Sequence, residues 1–298
     1  MNTAVMRAAA VLVSLGWCDA DVDALDGGYS NETFRVARGT AEAVLRLNGH
    51  QNDALGLSRS AEVEALRAAA ALGIAPGVIA AADDFLMTTF VPGDLLTPTL
   101  ARSTHYIAEL GTTLAKVHQI DAVVGRSCDP FWLVRTYLDG ARRLGVPMPD
   151  GLDEVLEQVD AIEQRAAARD DPPVFCHNDF YEFNLIATGD GRLIVIDWEL
   201  SGLGNRYFDL ATPSFHMAFS PQQDRMLLEA YCGTATDEQV AALHDMKYLN
   251  MVREVAWGLL HAGLDAAAPE AVHANHCLDY TATAMWFYDR LRAGHVTA

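Results

Sequence analysis

Three residues in the second half of the chain have the types and spacing that phosphoryl transfer needs. They are Asp179, Asn184 five positions later, and Asp197 after an intervening hairpin. This chemistry asks for an in-line hydroxyl, a carboxylate to accept its proton, and a divalent cation to neutralise phosphate oxygens. In His177-Asn178-Asp179-Phe180-Tyr181-Glu182-Phe183-Asn184, Asp179 is the candidate proton acceptor. Asn184 and the Asp197 of Ile196-Asp197-Trp198-Glu199 offer hard oxygen ligands, which suit Mg2+ better than zinc. His177 reads as a structural residue that holds the loop through its ring nitrogens, rather than as a base. Glu199 has two roles open to it, an ion pair with Arg206 or support of the metal. Asp209 reads as a brace for the loop.

Phosphate also needs a cationic anchor, and the chain has no lysine before Lys116; Lys247 is the only other one. An arginine must then take the part. Arg46 lies in Val44-Leu45-Arg46-Leu47, a strand pattern, and Glu62 on the following helix is placed to orient it as an ion pair. The turn-rich stretch Gly27-Gly28-Tyr29-Ser30-Asn31 precedes the first strand of a hairpin. Backbone amides near Tyr29, Ser30 and Asn31 would cover phosphates there, although a pair of glycines is weaker evidence than G-x-G-x-x-G.

The elements that must position these groups follow from periodicity and turn residues. Residues 7–17 read as a first amphipathic helix rather than a cleaved leader, because the apolar run is short and acidic residues follow at once. Thr33 to Ala37 and Ala43 to Leu47 form a hairpin around Arg38-Gly39-Thr40. A helix over Arg59 to Leu72, with Val63, Leu66 and Ala70 on one face, stops at Gly73 and Pro76. Val78 to Ala81 and Phe85 to Val91 are strands, and Pro92-Gly93 ends this β-rich part. Beyond it, Ile107, Leu110, Leu114 and Val117 keep helical spacing, as do Leu152, Val155, Leu156, Val159 and Ile162. One hairpin interrupts: Asn184 to Ala187 and Leu193 to Ile196, turning at Gly189-Asp190-Gly191. Helices resume over Gln222 to Tyr231, Asp237 to Leu260 and Ala271 to Arg292. The expected architecture is α+β in two parts, a β-rich ATP-binding lobe over 1–91 and a helical lobe with the catalytic loop over 92–298.

Composition narrows the partners. A formal charge of -19 argues against nucleic acid, whose phosphates would be repelled, and biases the chain toward cationic small substrates. The five cysteines are scattered with no C-x-x-C pair, which fits a reducing, cytoplasmic setting. No apolar run is long enough to span a membrane.

With these residues in view, the chain resembles the choline/ethanolamine kinase branch of the aminoglycoside phosphotransferase superfamily. The resemblance rests on Gly27 to Asn31, Val44 to Gly49 with Arg59-x-x-Glu62, and Cys176 to Asn184. It extends through Ile196 to Glu199, Asn205-Arg206-Tyr207-Phe208-Asp209 and Arg253-Glu254-Val255-Ala256-Trp257-Gly258-Leu259-Leu260. It implies a protein-kinase-like fold, ATP with Mg2+ as donor, Asp179 as catalytic carboxylate contacting the substrate, and Asn184 and Asp197 as metal ligands. It also implies that Arg46 touches phosphates with Glu62 behind it. Backbone groups of Thr88 to Val91, among them Thr89, Phe90 and Val91, would meet adenine. The acceptor would be a small cationic alcohol, choline or ethanolamine, held by Trp257 and Tyr280, since a quaternary ammonium is held by aromatic faces. Choline kinases often carry a second Trp three residues after the first, and here Leu260 stands there. Trp286, Phe287 and Tyr288 read as packing. The alternatives are a kinase of aminoglycosides, served by carboxylates such as Glu254 and Asp279, and a nucleotide-binding pseudokinase. Intact Asp179, Asn184 and Asp197 count against the last.

Overall fold

The computed structural model describes residues 3–25, 31–48, 58–121, 127–267 and 278–294. Tyr29 and Ser30 of the expected phosphate loop lie outside the described residues. Two compact units emerge, one comprising Met1–Leu95, Ile120–Gly125 and Asn184–Leu200, the other Leu96–Gln119, Arg126–Phe183 and Ser201–Ala298.

The first unit is built on a five-stranded antiparallel sheet of order β1-β2-β3-β5-β4, with β1 Asp21–Leu25, β2 Glu32–Arg38, β3 Ala41–Leu47, β4 Val78–Ala82 and β5 Phe85–Thr89. Alternation decides its faces. Phe34 and Val36, Ala43, Leu45 and Leu47, and Met87 turn to one side, where Ala4, Ala8 and Leu12 of helix α1 (Thr3–Ser14) cover them. Arg46, between Leu45 and Leu47, therefore points to the opposite face. Helix α2 (Arg59–Ala71) starts at the Ser58 cap and buries Glu62, Ala65, Leu66 and Ala69. That stripe is rotated from the expected Val63, Leu66 and Ala70 because Glu62, a carboxylate, is buried with arginine partners.

The chain does not leave this unit at residue 91 as expected. Strand β6 (Asp94–Leu95) pairs with β8 (Leu185–Ala187), which forms the expected hairpin with β9 (Leu193–Val195). The Val195 amide donates to the Ile74 carbonyl at 2.7 Å. These bonds put Asn184–Leu200 with the first unit, whereas the sequence reading assigned the hairpin to the second.

The second unit is helical: α3 (Pro98–Ala101), α4 (Thr104–Val117), α5 (Pro130–Arg143), α6 (Leu152–Ala168), α7 (Arg206–His216), α8 (Pro221–Cys232), the 31-residue α9 (Asp237–Ala267) and α10 (Tyr280–Arg292). A two-stranded ribbon of β7 (Val174–Cys176) and β10 (Gly202–Gly204) carries the loop that bears Asp179. Helix α9 is the axis, buried over most of its middle from Ala242 to Gly263. At Gly258, α10 comes so close that an added Cβ would lie 2.9 Å from the Ala284 Cβ. No helix among the described residues is long and apolar enough to cross a membrane.

Candidate active site

In the first unit Arg46 lies at the centre of an array of charges. Its two terminal nitrogens each lie 2.7 Å from a Glu62 carboxylate oxygen, a two-pronged pair, and one of them is 3.4 Å from Asp197. Arg59 donates to the same Glu62 at 2.9 Å and to Glu199 at 2.8 Å. Of the two roles open to Glu199, the structure shows neither directly but gives it Arg59 as an ion-pair partner. Burial works against the charge on Arg46, but Glu62, then Asp197 and Glu199, hold its pKa above the ordinary guanidinium value. Burial would likewise raise the Glu62 carboxyl, yet Arg46 and Arg59 outweigh it and hold the group below the usual carboxylate range.

The expected metal ligands lie at the same end of the hairpin, Asn184 before β8 and Asp197 after β9. The Asn184 carbonyl accepts the Ile196 amide at 3.0 Å, which sets Asn184 beside the residue that precedes Asp197. Asp197 holds φ at 62°, an unusual conformation for a non-glycine residue and one that often marks a functional position. Carboxylate oxygens of Glu62, Asp197 and Glu199 all lie within 4.8 Å of one another, and the Asp197 side chain is 37% exposed against 2% for Glu62. Two arginines against three carboxylates leave a net negative, all-oxygen donor set, which fits Mg2+. Asn31 lies 3.5 Å from Arg59. The amides of Thr89 and Phe90 donate to the Gly77 and Glu42 carbonyls, at 2.8 and 3.2 Å.

The second unit presents Asp179 on a braced loop. Asp209 on α7 accepts the amides of His177 and Asn178 at 2.7 and 2.6 Å and lies 3.1 Å from His118 Nε2. This is the bracing role read from the sequence. Asn178 takes a left-handed φ of 65°, and Gly204 lets the ribbon close beneath it: an added Cβ there would lie 3.2 Å from the Asn178 side chain. Lys247 does not reach this loop. It is buried against Asp224 at 3.0 Å.

Around Asp179 the structure gathers Arg253 and His216, which the sequence reading did not single out, with Glu254. Arg253 stands 3.6 Å from Asp179 and 2.6 Å from Glu254, which in turn lies 3.2 Å from His216. Further along α9, Trp257 meets Tyr280 edge-on at 5.3 Å, and His261 packs on both at 4.5 and 5.1 Å. The expected pair Trp257 and Tyr280 is therefore together, with His261 as a third ring. Leu260 is buried and turns toward Gly140 on α5, where an added Cβ would lie 2.8 Å from its Cδ1. The spacing Arg253, Trp257, His261 at successive intervals of four was the available signal, because it puts all three on one helix face. Of the aromatics read as packing, Tyr288 is buried and donates to the Asp150 carbonyl, whereas Trp286 is 55% exposed.

This combination of an antiparallel sheet unit and a helix-rich unit, with Asp179, Asn184 and Asp197 in kinase order, defines a protein-kinase-like phosphotransferase fold. The chain belongs to the Phosphotransferase enzyme family, which it matches over residues 21–244. It is 25% identical to choline kinase B1 of Caenorhabditis elegans over 65% of this chain and 56% of that one. With ethanolamine kinase 2 of Mus musculus the identity is 29%, over 56% of this chain and 45% of the relative. The chain thus spans about half the length of these curated relatives. A crystal structure of a choline/ethanolamine kinase family protein from Mesorhizobium loti superimposes with a TM-score of 0.81 at 26% identity, over 98% of this chain and 94% of that one. The resemblance to the choline/ethanolamine kinase branch is borne out.

Proposed function

We propose that this protein is an ATP- and Mg2+-dependent kinase that phosphorylates the hydroxyl of a small cationic amino alcohol, choline or ethanolamine. The observation that carries the reading is the Arg46 fork: a guanidinium pinned by Glu62 and held 3.4 Å from Asp197. Phosphate anchor and metal carboxylate are thereby set side by side. Asn184 and Asp197 would hold Mg2+, which when bound draws charge off the phosphate oxygens. Arg46 binds phosphate, and Asn31 is the described part of the covering loop. With the Thr89 and Phe90 amides already bonded within the fold, backbone donation to adenine on that segment falls to Val91. Asp179 orients the acceptor hydroxyl and accepts its proton as the oxygen attacks.

The acceptor reading rests on Trp257, Tyr280 and the relatives named choline and ethanolamine kinase. A polycationic aminoglycoside would need several available carboxylates. Here Glu254 is paired with Arg253 and close to His216, while Asp279 caps α10 by accepting the Ala282 amide. Cys18, Cys176 and Cys232 form no disulfide, which suits the cytoplasm, where ATP is abundant. The test is ADP release with choline, ethanolamine, kanamycin or no acceptor, with and without Mg2+. Metal-dependent turnover on an amino alcohol is expected. Preference for kanamycin, or release indifferent to every acceptor, would overturn the proposal.

A further inference from the structure

Arg253 is a buried cation beside the residue assigned as proton acceptor, a place where a cation-binding enzyme has no obvious need of one. Its geometry explains its presence. One terminal nitrogen faces Asp179 at 3.6 Å and the other faces Glu254 at 2.6 Å. Glu254 is steadied in turn by His216 on α7 at 3.2 Å. A fork bridging two carboxylates through separate nitrogens is something guanidinium can do and a lysine ammonium does poorly. At 3.6 Å the contact to Asp179 is an ion pair longer than a hydrogen bond, so it supplies charge without using the lone pair to which the acceptor hydroxyl must donate.

We propose that Arg253 is a positioning residue of the transfer: aimed by the Glu254–His216 brace, it holds the Asp179 carboxylate as the anion that receives the acceptor's proton. The inference rests on the reading of Asp179 given above. Several charged and titratable groups facing this carboxylate set its balance. Burial pushes the Asp179 carboxyl up and Glu254 adds to the rise, while Arg253 foremost, then His177 and His216, pull it down. Tyr137 and Tyr181 lie on the far side of the guanidinium and favour its charge. Burial would raise Glu254 too, but Arg253 and His216 bring it down to about 2, so the brace stays charged across the working range. With Arg253 balanced against two carboxylates, the cluster keeps room for a cationic acceptor.

The test is the pH profile of kcat/KM for the amino alcohol at saturating Mg·ATP, in wild type, R253Q, R253K and D179N. The carboxylate is the active form, so activity falls as pH drops through its pKa. Losing the nearby cation moves that acid limb to higher pH, by about one to three pH units. R253Q should therefore lose about tenfold per pH unit of displacement below the limb and recover toward wild type at alkaline pH. R253K, which keeps the charge and loses the bridge, should fall between. Melting temperature and Mg·ATP affinity report whether each variant is folded. If R253Q does not fold, R253K decides, and an acid limb identical to wild type overturns the proposal. A loss in R253Q that is the same at every pH also overturns it, because packing alone would give that result. D179N separates the two readings: if it keeps most of its turnover, the assignment of Asp179 fails and this inference fails with it. A dead D179N beside an unmoved R253Q profile rejects only the inference.

Discussion

Replacing Glu62 with Gln probes the phosphate side of the site at its most connected point. The side chain is 2% exposed and carries both prongs to Arg46 and one bond to Arg59. Removing one member of a buried ion pair costs about 3–5 kcal/mol, because the partner is left buried and uncompensated. Here the two guanidinia keep Asp197 and Glu199 nearby and are 12% and 11% exposed, so the loss should be nearer about 2–3 kcal/mol. In a chain of 298 residues that lowers the melting temperature by about 3–5 °C. Calorimetry at pH 7 measures it directly, and steady-state kinetics should show a higher KM for ATP as Arg46 loses its aim. A pH series adds a signed check. Glu62 titrates below its ordinary value in the folded chain, so its contribution is complete above about pH 4.3, the unfolded value, and disappears as pH falls through the folded one. The gap between wild type and E62Q should accordingly be full at neutral pH and close in acid. A variant that melts with wild type at pH 7, or a gap that widens on acidification, would refute the reasoning.

Three further outcomes are expected. R46A should raise the KM for ATP far more than that for the acceptor, and sensitivity at Arg59 alone would reassign the anchor. D197A should abolish productive Mg·ATP binding, so that Mg2+ titration no longer restores activity; equal metal dependence in wild type and variant would make Asp197 structural. W257A should weaken choline by up to about thirtyfold, because a cation on an aromatic face gains about 0.5–2 kcal/mol at about 1.4 kcal/mol per tenfold. Its KM for ATP should stay near the wild-type value.

What the sequence disclosed was local and periodic. The Arg46 strand, the hairpin before Asp197 and the long α9 follow from alternation, glycine turns and helical spacing. Asp21–Leu25 went unread because its acidic residues look like a charged tail to the first helix, yet an edge strand with its side chains mostly exposed tolerates them. The two- and three-residue strands β6, β7 and β10 lack the tight turn that marked β8 and β9, and so carry too little pattern to be seen. Helix α7 hides behind Pro213 within it. Other misses are choices of distant partner. Arg59 finds Glu199 across 140 residues, and nothing near either residue says so. Arg253 was quoted only as part of a stretch, because what gives it meaning is Asp179, 74 positions earlier (253 − 179).

On the proposed function, the arrangement of charge also accounts for how an acidic chain would handle a polyanion. Its overall charge of -19 would repel ATP, and one of its two lysines is committed to a buried pair with Asp224. Cations are therefore supplied locally by arginine, and each is pinned by a glutamate: Arg46 by Glu62, Arg59 by Glu62 and Glu199, Arg253 by Glu254. Pinning fixes direction and leaves no surplus positive charge. On the phosphate side the Glu62, Asp197 and Glu199 carboxylates outnumber the two arginines, so a triphosphate meets a net negative site unless a divalent cation comes with it. The proposed metal requirement would then follow from the balance of this chain's own side chains. A kinase anchored by a single unpaired lysine would retain some affinity for metal-free nucleotide, whereas on the proposed reading this arrangement would favour the Mg·ATP complex over ATP alone at the binding step itself.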